Sequence, residues 1–152
     1  MMIDDIAIKE EFEKIAEKAL RASSRDYEAG YESQFEKDIQ KMISDYPAHR
    51  AFIISLLDRF LEDHPDNEAT EHTLWHIESF GDLSTFKQIK NMIRKYCLNG
   101  SYMQKSGAIE NLYELFTNEE AMSILQQMLA NEPDDKNNWF HDYILQHMKD
   151  FK

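Results

Sequence analysis

The chain contains no valine, and its 152 residues include only four glycines and three prolines. It therefore lacks a leading strand former and most of the residues that punctuate tight loops. Glu, Lys, Leu, Met, Gln and Ala, which lose little freedom in a helix, are abundant instead. The predicted fold class is all-α. At this length a sizeable core fits into one ordinary domain, with no room for a second catalytic one.

Apolar spacing locates the helices. Ile8, Phe12, Ile15 and Ala19 recur at helical intervals, as do Phe35, Ile39, Met42, Ile43 and Tyr46. Between these two predicted helices a polar stretch with Ser23, Ser24, Asp26, Gly30 and Ser33 reads as a loop, which makes residues 1–46 an N-terminal helical pair. After Pro47, a third helix carries Phe52, Ile53, Leu56, Leu57, Phe60 and Leu61 and stops before His64-Pro65-Asp66-Asn67. A fourth is predicted from Glu68 to Phe80, ending at Gly81, and a fifth from Leu83 to Cys97, ending near Asn99-Gly100. The sixth covers Tyr102 to Phe116. The seventh opens at Thr117, whose spacing to Glu120 is that of a capping box, and closes before Pro133. Asp134 to Asn138 lead into the eighth, with Phe140, Tyr143, Ile144, His147, Met148 and Phe151 on its apolar face.

These units repeat. The segment beginning FLEDHPDNEATEHTLWHI at Phe60 aligns with MLANEPDDKNNWFHDYIL at Met128, and IRKYCLNGSYMQKSGAIENLY from Ile93 falls between them. A unit of about thirty-four residues, each an antiparallel helix pair, is the signature of a helical solenoid over residues 47–152. The stretches TLWHIESFGDLSTFKQIKNMI (Thr73 to Ile93) and AIENLYELFTNEEAMSILQQML (Ala108 to Leu129) resemble HEAT repeats of the short bacterial kind found in phycobilisome lyases, with Gly81-Asp82 in the inter-helix turn. The resemblance covers roughly residues 48 to 150 and implies an array of helix pairs, with nothing about activity. Members of that family pair the turn aspartate with an arginine near the start of the second helix. Here the matching position is Glu71, and the second copy has Thr117-Asn118 in place of Gly-Asp.

Seventeen basic residues against twenty-nine acidic ones give a net charge of −12. That opposes nucleic acid and anionic membrane and favours a basic partner, although acidity also serves solubility. No apolar run approaches the ~20 residues that cross a bilayer. The acidic start MMIDDIAIKEEFEK does not read as a secretory signal, so a cytoplasmic location is expected. The lone Cys97 lies on an apolar stripe, as a buried thiol in a reducing compartment would.

Few residues suggest chemistry. His72 and His76 are four apart, within reach of a shared ion, but Thr73 stands where a zincin helix needs Glu, and Ala69 and Thr73 stand where di-iron bundles need Glu. His141 and His147 point to different faces. No metal or cofactor is expected. Acid pairs such as Glu10-Glu11, Glu62-Asp63 and Asp134-Asp135 read as solvated faces, and no phosphate loop, nucleophile elbow or Cys cluster occurs. The protein is not expected to be an enzyme.

One helix face stands apart. Thr70, Thr73, Leu74, Ile77 and Phe80 form the buried stripe of the fourth helix, which turns Trp75 to the opposite side beside Glu68, Glu71, Glu78 and Ser79. An aromatic ringed by carboxylates looks like an interface hot spot for a basic partner; the alternative is that Trp75 packs on a neighbouring helix pair. In a HEAT-like array the second helices line one side, which would gather Trp75, Glu71, Glu78, Glu110, Glu114 and Asp142, bordered by Tyr113 and Trp139.

In size, acidity and lack of motifs the chain is similar to bacterial immunity proteins that protect against contact-dependent growth inhibition toxins, many of which are basic nucleases. That similarity implies a monomer when free that occludes the active surface of one basic toxin domain. The alternative is a helical-repeat adaptor that binds a cellular protein or peptide without inhibiting it. A helical-repeat DNA glycosylase would need a basic groove, and a chromophore lyase would need chemistry that is not evident here.

Overall fold

The computed structural model describes residues 4–21, 33–133 and 138–152. Among these residues the chain is all-α. It forms α1 (Asp5–Leu20), α2 (Gln34–Asp45), α3 (Arg50–Asp63), α4 (Glu68–Trp75), α5 (Phe86–Asn99), α6 (Tyr102–Ile109), α7 (Leu112–Leu115), α8 (Asn118–Ala130) and α9 (Trp139–Lys149), with 3-10 turns at Pro47–His49, Ile77–Phe80 and Leu83–Thr85. The predicted loop residues Ser23, Ser24, Asp26 and Gly30 lie outside the described residues, as do residues 134–137.

Helix starts are set by side chains that accept orphan N–H groups: Asp4, Ser33, Asn67, Ser101, Thr117 and Asn138 each do so. Ser33, expected in a loop, is therefore the cap of α2. Thr117 and Glu120 form the expected capping box, and Ser101 and Gln104 form another. Ser33, Asn67 and Ser101 fall thirty-four positions apart, so the cap of α2 keeps the same register as those of α4 and α6.

Two predicted helices break in the middle. The fourth ends as an α-helix at Trp75 and continues as a 3-10 turn, and the sixth ends at Ile109 and resumes at Leu112. Asn111 bonds at both breaks. Its Nδ2 donates to the Leu74 carbonyl at 2.7 Å and to the Gly107 carbonyl at 3.2 Å, taking acceptors that the next helical turns would have used. The Ser79 hydroxyl likewise donates to the His76 carbonyl at 2.7 Å. Apolar spacing continues through both breaks, so periodicity does not mark them. The fifth helix starts at Phe86, after a 3-10 turn capped by Asp82, and Phe151 is buried just beyond the end of α9.

One apolar core runs through the described residues. At its N-terminal end Phe12, Phe35 and Phe60 join α1, α2 and α3, with ring centroids 4.9 to 6.5 Å apart. The core continues through Leu57, Leu74, Phe80, Ile93, Leu125, Phe140 and Ile144, all fully buried and each contributing ~1.5–3 kcal/mol. α1 packs on α2 and α3, α5 on α6 and α8, and α8 on α9. α4 and α6 approach closely at Gly107, where a Cβ would come within 2.4 Å of the Glu71 carbonyl oxygen.

Polar bonds fasten each stretch of chain to the one about a unit away. Gln104 donates to the Leu61 carbonyl at 2.6 Å, Ser101 to the Pro65 carbonyl at 2.6 Å, Gln88 to the Ala51 carbonyl at 3.0 Å, and Tyr96 to Asp58 Oδ1 at 2.5 Å. Among the described residues such long-range side-chain hydrogen bonds span 30 to 43 positions. Asp82 in the Gly81-Asp82 turn has an arginine after all. It comes from the start of α3: Arg50 Nε lies 3.3 Å from Asp82 Oδ2, and Arg50 also donates to the Phe80 carbonyl at 2.7 Å. No helix of the described residues is long and apolar enough to cross a membrane. Cys97 is fully buried, and burial pushes its thiol up to about 12.

Candidate functional site

α4 presents its two faces as the apolar stripe predicts. Thr70, Thr73, Leu74, Ile77 and Phe80 are fully buried, and Trp75 on the other side keeps 48% of its surface exposed. Its indole lies over the neighbouring His76 ring at a centroid distance of 6.4 Å. Trp75 is thus half-exposed, with the other half of its surface packed on the protein.

Around it the acids fall into three groups. Glu71 and Glu68 share the first turn of α4, where the positive end of the helix favours them. Partial burial nevertheless raises the Glu71 carboxyl, and the Glu68 charge adds to the rise against the opposing pull of His72. Glu78, in the 3-10 turn, meets Glu114 of α7. Burial raises the Glu78 carboxyl, as do repulsion from Glu114 and the hydrogen bond the pair makes when one of them is protonated. Glu110, at the end of α6, is already engaged. It accepts from Tyr143 at 2.6 Å, and His147 Nε2 lies 3.5 Å away.

α9 enters this region through Tyr143 and His147, one turn apart, while Tyr113 bonds His147 Nδ1 at 2.5 Å and Asp150 Oδ2 at 2.6 Å. Tyr113 thus joins the border of the site, with its hydroxyl pKa raised by burial and by Asp150. Trp139 is exposed and rests on Phe140 and Tyr143. Two predicted members lie apart from these contacts. Asp142 is exposed, and its ionic neighbour among the described residues is the adjacent His141 at 4.0 Å, because the 3.6-residue period that aims Tyr143 and His147 at Glu110 turns Asp142 away. Ser79 is exposed, but Gln40 of α2 grips its carbonyl and hydroxyl at 3.1 and 3.0 Å, so it locks two elements together.

Next to Trp75, through the His76 ring on which its indole stacks, lies a group that no sequence motif marks. Glu36 of α2 is 1% exposed, and its carboxylate sits against both His72 and His76. The signal in the sequence was an acid at a position otherwise following the apolar stripe of α2, thirty-six residues before His72. These three side chains are the ones able to hold a metal ion among the described residues. No protein family, curated protein or solved structure matches the chain.

Proposed function

We propose that the protein is an inhibitor of one basic protein, acting in the cytoplasm as bacterial immunity proteins do: it covers the active surface of a toxin domain, a nuclease, and performs no chemistry itself. The observation that carries this reading is the half-exposed Trp75 on a face crowded with carboxyls, where burial and the neighbouring Glu114 raise the Glu78 carboxyl. Like charges pressed together at Glu78 and Glu114 are relieved by a lysine or arginine placed between them, and net charge of −12 steers such a partner from a distance. The indole supplies apolar area at the centre of the contact, where truncation of a tryptophan commonly removes ~2 kcal/mol or more. The HEAT-like array of helix pairs serves as the scaffold that holds α4, α6 and α9 side by side.

The test is recovery of partners by the tagged protein from cells expressing its genomic neighbours, washed at low and high salt. One basic protein, bound stoichiometrically and silenced while bound, is the expected result. Trp75→Ala should reduce its retention at least ~30-fold, the equivalent of ~2 kcal/mol. A partner that stays fully active in the complex overturns inhibition and makes the protein an adaptor.

A further inference from the structure

The buried Glu36 raises a question the protein-binding surface does not answer. A carboxylate in the core must have its charge compensated. Here both compensating groups are imidazoles offering the same atom. His72 Nδ1 lies 2.5 Å from Glu36 Oε1, and His76 Nδ1 lies 3.1 Å from both carboxylate oxygens. The geometry has a simple origin. His72 sits in the last turn of α4 and His76 at its C-cap, so the four-residue spacing brings their rings to 5.0 Å, edge to face, over the acid contributed by α2.

One donor atom from each residue lies within 4.8 Å of the others. Ligand atoms around a tetrahedral zinc with ~2.0 Å bonds are roughly 3.3 Å apart. The two rings therefore need only draw back from hydrogen-bond distance to admit an ion in place of the protons between them. We infer that Glu36, His72 and His76 form a binding site for one divalent transition-metal ion of the zinc class. Two imidazoles and a carboxylate are the borderline donors such ions take, whereas calcium asks for six or more oxygens and magnesium for an octahedral oxygen shell.

The surroundings fit a three-ligand site with one open position. Glu36 and His72 are buried, but the His76 side chain is 37% exposed, so the fourth position faces solvent along its edge. Gln40, one turn after Glu36, holds the 3-10 turn that follows His76 through its two bonds to Ser79, which fixes the backbone carrying the third ligand. A bound ion would tie α2 to α4 directly under Trp75.

That position gives an optical readout. The full chain, stripped by a chelator, is titrated with Zn2+ alone against a chromophoric competitor. It is then titrated with Co2+ alone, followed by visible absorption and by quenching of Trp75 in a Trp139→Phe background. The expected result is one equivalent of either metal, with protons released on binding and Trp75 fluorescence quenched by Co2+. Glu36→Gln and His76→Ala should each weaken binding at least about tenfold, and His141→Ala should leave it unchanged. Circular dichroism checks the fold of each variant. If Glu36→Gln loses helicity, the half-exposed His76→Ala carries the comparison. Absence of saturable uptake, or one-equivalent uptake that survives in His76→Ala, overturns the site. Either failure leaves the partner-binding reading intact, since retention of a basic protein is read separately from metal uptake.

Discussion

Replacing Gly107 by alanine tests how closely α4 and α6 approach. The added Cβ would stand 2.4 Å from the Glu71 carbonyl oxygen, 3.1 Å from Leu74 Cβ and 3.2 Å from the Trp75 backbone nitrogen. Two terms oppose each other. Alanine in a helix interior is favoured over glycine by ~1 kcal/mol, and overpacking costs ~1–3 kcal/mol. The nearest obstacle is backbone, which cannot rotate aside as a side chain can, so the overpacking term falls at its upper end. The net expectation is a loss of about 1–2 kcal/mol, which for a domain of this size lowers Tm by roughly 2–8 °C. Urea unfolding followed by helical circular dichroism should show a lower midpoint with an unchanged slope. Gly81→Ala serves as the comparison, because its Cβ would meet side-chain rather than backbone atoms, Ile89 Cγ1 at 2.8 Å and Thr85 Oγ1 at 3.2 Å, and its loss should be smaller. A Gly107→Ala protein as stable as the parent would refute backbone contact between α4 and α6 at this point.

Other outcomes follow from named groups. Asn111→Ala should cost ~1–3 kcal/mol in urea unfolding, because the Leu74 carbonyl loses its donor inside the protein; a loss near zero would mean that the helix breaks do not depend on that amide. Cys97, with its thiol pushed up to about 12, should resist a thiol reagent at pH 8 in the native protein and react on unfolding, and rapid native labelling would contradict its burial. Glu78 binds its proton more tightly when folded than its ordinary value of 4.5 would allow, so it makes stability fall as pH rises from about 4.5. Glu114→Gln should flatten that fall, and a basic partner should displace protons on binding in the same pH range, measurable by calorimetry in buffers of different ionisation enthalpy.

Periodicity revealed the helices because every apolar stripe is local: Ile8 and Phe12, or Ile53 and Leu57, need only the 3.6-residue turn to declare their face. The same logic placed Trp75 outside and Thr70, Thr73 and Leu74 inside. It failed at His76 and Glu110, where the helices stop and where an amide on Asn111 reaches the Leu74 carbonyl across 37 positions. It failed again at Glu36, whose meaning depends on two imidazoles in another unit. Asp142 points away from Glu110 although Tyr143 of the same helix bonds it, since sharing a helix is not sharing a direction. Local period is written along the chain, whereas polar pairing between units leaves no mark at fixed spacing.

The reach of those polar bonds bears on how the protein is made. Gln104, Lys95, Tyr96 and Asn111 all find their partners 33 to 43 positions earlier. In a chain emerging from the ribosome N-terminus first, each of these bonds can close once 33 to 43 further residues have followed its earlier partner. Short loops of this kind close at small entropic cost, so synthesis and assembly can advance at the same pace, with only the newest helices left exposed to solvent.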